Sequence, residues 1–133
     1  MKTIDKVAWL HLREGKLLST RSRGKDRYYI PGGKREAGET DVQTLVREIK
    51  EELTVDLDVP TLHPMGIFEG QAHGHPPGVM VVMSCYSGQY SGTLQPAAEI
   101  EEVVWLRYQD RLLVSPVDQK IFDWLLAQQL LTA

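Results

Sequence analysis

The stretch from Pro31 to Val55, PGGKREAGETDVQTLVREIKEELTV, constrains this chain more than any other. A glycine-rich loop leads into a segment of helical periodicity, and that segment closes on glutamates. Apolar residues recur at Val42, Leu45, Val46, Ile49 and Leu53, the spacing that draws one stripe along a helix of about 3.6 residues per turn. Thr40 suits the N-cap, because its hydroxyl can accept a hydrogen bond from a free backbone N–H one turn on. The pattern predicts a helix over 41–53. Glu48, Glu51 and Glu52 fall off the stripe at i, i+3 and i+4, so the first faces the other two one turn away. Like charges at this spacing cost an isolated helix roughly 0.2–0.5 kcal/mol per pair. Arg47 and Lys50 offset part of that locally. A hard divalent cation such as Mg²⁺ offsets it better, because carboxylate oxygens are its preferred ligands and substrate phosphates complete its shell. Taken alone, REIKEE reads more plainly as a solvated helix of mixed charge. The loop in front shifts that balance, since Gly32, Gly33 and Gly38 let the backbone approach a ligand closely or take φ > 0.

The fixed distances within the stretch resemble the Nudix box of the Nudix hydrolases, G-x5-E-x7-R-E-U-x-E-E-x-G-U, with U a bulky apolar residue. Gly33, Glu39, Arg47, Glu48, Ile49, Glu51, Glu52 and Val55 match it. Thr54 stands where the box has its last glycine. A glycine there suits a left-handed helix cap, and a β-branched residue resists φ > 0. The expectation is that the helix ends differently, with the upstream glutamates undisturbed.

The resemblance implies a single Nudix hydrolase domain over 1–133, an α+β chain folded as an α/β/α sandwich around a mixed β-sheet. It implies Mg²⁺ as cofactor, with Mn²⁺ able to substitute, held by Glu48, Glu51, Glu52 and the backbone carbonyl of Gly32. It implies hydrolysis of a diphosphate linkage, with Glu48, Glu52 or Glu99 taking the proton from water. Arg21, Arg23, Gly33 and Lys34 are the candidates for binding substrate. For Arg21 and Arg23 a solvated hairpin end is an even alternative, and for Glu99 a polar loop at a strand start. Arg47 is cast as orienting the glutamates, with Glu39 as its partner. Substrates take the form of a nucleoside diphosphate linked to a further group. Residues near Gln71 carry neither the proline nor the tyrosine that marks ADP-ribose and dinucleoside-polyphosphate hydrolases of this kind. A MutT-like enzyme acting on canonical or oxidised nucleoside triphosphates is left. Sugar nucleotides and ADP-ribose stay open as substrates, and so does a non-catalytic nucleotide sensor. An isopentenyl-diphosphate-isomerase-like enzyme uses a catalytic cysteine, and Cys85 inside VMVVMSCY is poorly placed for that.

Composition narrows the surroundings. A chain of 133 residues with 42% hydrophobic content makes one ordinary globular domain. A net charge of −3 offers no broad basic field for nucleic acid. The start, MKTIDK, reads as no signal peptide, and no apolar run approaches the ~20 residues that span a bilayer. A cytoplasmic protein acting on a small nucleotide, with no membrane or nucleic-acid partner, is the expectation; a homodimer is left open.

Along the chain, strands are expected over 4–12, 16–22, 28–31, 62–71, 79–87 and 101–108. A final helix is expected from Ser115-Pro116 to about Leu131, with the serine as N-cap. Residues 56–60 read as a connector and 89–98 as a loop. His73 and His75 lie in a Gly/Pro-rich loop without partners at zinc-site spacing, and read as surface or a mobile substrate-side loop. Trp9, Trp105 and Trp124 read as core; any of them, or Tyr28 or Tyr29, is open as a base-stacking residue.

Overall fold

The computed structural model describes residues 2–133. The first half of the chain runs β1 (Thr3–Trp9), β2 (Leu12–Arg13), β3 (Lys16–Ser22), β4 (Gly32–Lys34), α1 (Asp41–Leu53), β5 (Asp56–Leu57) and β6 (His63–Gln71). It continues with β7 (Met80–Ser87), β8 (Tyr90–Ser91), β9 (Ile100–Leu106) and α2 (Pro116–Ala127). Successive side chains in a strand point to opposite faces, and β1 uses this to supply two cores. Val7 and Trp9 pack with Leu45, Ile49 and Leu53 of α1. Ile4 and Ala8 pack with Val117, Ile121, Phe122 and Leu125 of α2, and with Val81, Met83 and Cys85 of β7. Each fully buried aliphatic side chain contributes about 1.5–3 kcal/mol, so the central strand is clamped from both sides. The result is an α/β/α sandwich.

The main sheet has the order β4-β1-β7-β6. It is mixed, because β1 and β7 run parallel while the other neighbours run antiparallel. β2, β3 and β9 form a second sheet, and β5 pairs with β8. As the sequence predicts, α1 spans Asp41–Leu53 behind Thr40. Thr40 Oγ1 accepts from the Gln43 N–H at 3.1 Å, and the Gln43 side chain accepts from the Thr40 N–H at 3.0 Å.

Several local expectations give way. Residues 28–31 form only isolated bridges, Thr20 to Tyr29 and Tyr28 to Val114. The strand starts instead at the glycines, with Gly32 opposite Ala8 and Gly33 opposite Val7. Propensity disfavours glycine in a strand, but here only glycine fits, since a Cβ on Gly32 would lie 2.0 Å from the Val7 carbonyl oxygen. The connector and the loop each hold half of the β5–β8 pair, too short for alternation to show. β9, expected over 101–108, ends at Leu106, and Tyr108–Leu113 turns into a 3₁₀-helix. The final helix stops at Ala127, and Gln129 at φ 62° turns the chain so that Leu131 returns to the α2-side core. Ser115 occupies the N-cap position of α2, but its hydroxyl makes no capping bond. Thr54 does adopt the left-handed cap, at φ 64° and ψ 17°. Its N–H bonds the Lys50 carbonyl and its hydroxyl donates to the Thr93 carbonyl at 3.1 Å, which holds the β-branched residue in place.

Candidate active site

α1 runs past β4, and the absence of side chains at Gly32 and Gly33 lets carboxylates lie against that strand. A Cβ on Gly33 would sit 2.4 Å from the carboxyl carbon of Glu48, so glycine is the residue that admits Glu48 here. The Gly32 N–H donates to Glu52 Oε1 at 3.2 Å. Although Glu52 falls off the apolar stripe, it is buried. Burial pushes its pKa up to about 8, against the pull of the Gly32 N–H, with Glu48 and Glu99 adding to the rise and Lys6 opposing it. The Glu48 pKa is raised as well, by burial first, while Arg47 holds it down.

Arg47 ties the loop to the helix. Its Nε donates to Glu39 Oε2 at 2.7 Å and its Nη2 to Glu39 Oε1 at 2.9 Å, the two-pronged geometry in which a guanidinium best fits a carboxylate. Nη1 donates to Glu48 Oε1 at 2.9 Å, and Nη2 also to the Lys34 carbonyl at 3.1 Å. Arg47 lowers the Glu39 pKa to about 2, so the pair stays charged across the physiological range.

The acids open into a cavity of about 360 Å³, within the ordinary range for small-molecule sites. Glu48, Glu52, Glu99, Gly32, Gly33 and Lys34 line it. At its other end sits Asp118 of α2, fully buried. Asp118 Oδ2 accepts from the Ile30 N–H at 3.0 Å, while Oδ1 has no hydrogen-bond partner. Burial lifts this carboxyl to about 7, with the Ile30 N–H, Lys6 and the nearby Ser115 hydroxyl pulling the other way; the Ser115 hydroxyl is itself buried without a hydrogen bond. Lys6 lines the same cavity from β1. Burial lowers its pKa, while Asp118 raises it, Lys34 lowers it, and Glu52 and Glu48 raise it.

The remaining candidates divide. Glu51 is exposed, reaches Arg47 Nη1 at 3.4 Å and does not line the cavity. Arg21 lies outside the cavity too: its guanidinium is taken by Glu101 and Glu102 across the β3–β9 pair. Arg23 is absent from the lining, and its backbone N–H holds the Glu99 carbonyl at 2.9 Å. Tyr29, His73 and His75 line the cavity, whereas Tyr28 and the three tryptophans do not. His73 Nε2 meets Asp26 Oδ1 at 3.2 Å. Asp118 and Lys6 are the two residues that reading the sequence missed. Each carried a signal: Asp118 shares the apolar spacing of Ile121, Phe122 and Leu125, and Lys6 interrupts the alternation of Ile4 and Ala8.

Among the described residues no three His, Cys, Asp or Glu side chains stand close enough to form a finished metal site. The donor chemistry nonetheless fits a hard divalent cation. Glu48 and Glu52 are both held above their ordinary pKa, and each feels the charge of the other or of Glu99. An oxygen-seeking dication relieves that repulsion.

No curated protein sequence matches the chain significantly. Solved structures do. The E. coli ORF135 protein is 27% identical, with a TM-score of 0.75 over 97% of this chain and 92% of that one. The MutT Nudix hydrolase of Burkholderia pseudomallei is 20% identical, with a TM-score of 0.72 over 92% and 96% of the two chains. The MutT protein of Methanosarcina mazei Go1 is 17% identical, with a TM-score of 0.73 over 96% of each. The family model described as NUDIX domain matches residues 3–125. A glycine strand seated under Glu48 and Glu52, the Glu39–Arg47 fork behind them, and a match over nearly the whole length agree: the chain belongs to the Nudix hydrolase family.

Proposed function

We propose that this protein is a Mg²⁺-dependent pyrophosphohydrolase that cleaves a diphosphate linkage in a nucleoside triphosphate, canonical or oxidised. One observation carries this: a single cavity joins carboxylates and glycine backbone at one end to a buried, half-satisfied carboxyl at the other. A nucleotide has two matching ends, a charged phosphate chain and a heterocycle rich in hydrogen-bonding edges. Asp118 Oδ1 is an acceptor waiting for a donor, and leaving such an atom buried and unmet costs about 1–3 kcal/mol. A base N–H meets it.

Glu48 and Glu52 would hold Mg²⁺, with Glu99 and the Gly32 backbone lining the same cavity and Glu51, exposed outside it, as the further acid of the box. When bound, the ion neutralises phosphate charge and lowers the pKa of a water. Lys34, next to Gly33 on the cavity wall, suits a phosphate oxygen. Arg47, anchored on Glu39, keeps one oxygen of Glu48 occupied and so fixes which one faces the substrate. The proton of the attacking water passes to one of Glu48, Glu52 and Glu99. Raised pKa values favour Glu48 and Glu52 for that task at mildly alkaline pH.

The test is a hydrolysis panel with and without Mg²⁺ at mildly alkaline pH. It holds canonical and oxidised nucleoside triphosphates, sugar nucleotides, ADP-ribose and dinucleoside polyphosphates, with phosphate and pyrophosphate read separately. Metal-dependent release of pyrophosphate from triphosphates is expected. Turnover confined to sugar nucleotides or ADP-ribose would reassign the substrate. Mg²⁺-dependent nucleotide binding with no turnover anywhere would make the protein a sensor.

A further inference from the structure

Lys6 sits where a lysine weakens a fold. It takes the position on β1 between Ile4 and Ala8, the face that packs toward α2. It stands directly opposite Lys34 across the β1–β4 pair, and like charges opposite one another in antiparallel strands are destabilising. Its surroundings are largely desolvated, which costs a charged group free energy unless it is paired. Yet among the described residues its ammonium makes no hydrogen bond, and no carboxylate oxygen comes within 4.0 Å of it. The ammonium instead hangs over the Tyr29 ring, 5.8 Å from the centroid. Both side chains line the cavity. A group that breaks the strand's alternation, faces a like charge and leaves its donors free gains only the Tyr29 ring face and the unbonded charges of Asp118, Glu52 and Glu48 in the ligand-free protein. Such departures from local rules concentrate at functional sites.

The position decides what Lys6 serves. Asp118 is the opposite charge that acts on it most strongly, ahead of Glu52 and Glu48. Lys6 also shares with Ile4 and Ala8 the β1 face that packs against α2, the helix that brings Asp118 to the cavity, and so belongs to the base-binding half more than to the acidic half. Asp118 Oδ1 and the Lys6 ammonium form an acceptor and a donor set apart by a gap.

We propose that Lys6 is a specificity-determining residue of this enzyme: its ammonium donates to an acceptor on the edge of the substrate's base, beside the N–H that Asp118 takes. The inference rests on the nucleotide reading above and deepens it. The ligand class is a nucleobase whose edge places a ring nitrogen or carbonyl oxygen next to an N–H. Sites built to bond both partners reject analogues that leave one of them unmet, because the orphaned group stays buried.

The experiment compares wild-type protein with Lys6→Met, which keeps length and removes charge, and Lys6→Gln, which keeps a donor. Hydrolysis of the four nucleoside triphosphates is measured with Mg²⁺. Binding of the four nucleoside monophosphates is measured by calorimetry in chelator, where the acidic end plays no part through metal. A charged hydrogen bond lost on a preferred base predicts about a tenfold or greater fall in kcat/KM in Lys6→Met, chiefly through KM. The other bases change little, so discrimination narrows, and Lys6→Gln recovers part of it. The monophosphate affinities narrow in the same way. An equal loss on all four bases, or no loss, overturns the inference and leaves Lys6 as a counter-charge to the acids. Wild-type protein that neither hydrolyses nor binds any of these nucleotides or their oxidised forms overturns the nucleotide reading, and this inference with it.

Discussion

Glu52 holds two opposed demands in one side chain. Its burial favours the protonated form, while a metal-binding role needs the ionised one. Glu52→Gln keeps an oxygen for the Gly32 N–H and removes the charge. Turnover is expected to fall by about 10²- to 10⁴-fold, while the metal-free protein melts higher than wild type at pH 8. Steady-state kinetics and thermal melts check the two halves. Wild-type turnover in this variant would remove Glu52 from the chemistry. At this scale the box residues were legible because fixed spacing along a helix is a one-dimensional signal. Asp118 and Lys6 were not, because what marks them is burial beside a cavity, and only the packing of α2 and β7 around β1 creates that.

The elements that escaped the sequence are those whose cause lies elsewhere in the chain. The helix α1 could be read to the residue from its own cap and stripe. β4 could not, because its glycines form a strand only through close approach to β1. The end of α1 is a similar case. A left-handed β-branched residue costs about 1–2 kcal/mol, and the hydroxyl bond from Thr54 to Thr93 returns part of it. Thr54→Val keeps the strain and loses the bond, so it is expected to destabilise by about 1 kcal/mol. Thr54→Gly loses the bond but also the strain, and is expected to stay within about 1 kcal/mol of wild type, since a more flexible unfolded chain offsets part of the relief. Urea melts of the two variants read the difference. Equal midpoints for valine and wild type would show that the hydroxyl contributes nothing.

For the whole molecule, the two lifted carboxyls give stability a direction with pH. Glu52 and Asp118 move from ordinary values of 4.5 and 3.8 to about 8 and about 7 on folding. Between those limits the folded chain holds protons that the unfolded chain has released, so stability falls as pH rises from about 5 to about 8. If Glu52 holds Mg²⁺ as proposed, the ion favours the ionised carboxylate and should flatten the upper part of that decline. Asp118, at the far end of the cavity, should leave the part below about pH 7 in place. Melting temperatures across pH 5–9, with and without Mg²⁺, test this; a flat metal-free profile would refute it.

The two ends of the cavity belong to different helices on opposite faces of the main sheet, the acids to α1 and Asp118 to α2. Each helix has its own apolar core, and β1 is the layer they share. A ligand that spans the cavity therefore acts as a cross-brace between two otherwise separate packing units. Ligand binding stabilises only the state in which both units are closed. Amide hydrogen exchange should accordingly slow in α1 and α2 together when nucleotide binds; slowing in α1 alone would show that the ligand does not bridge the two.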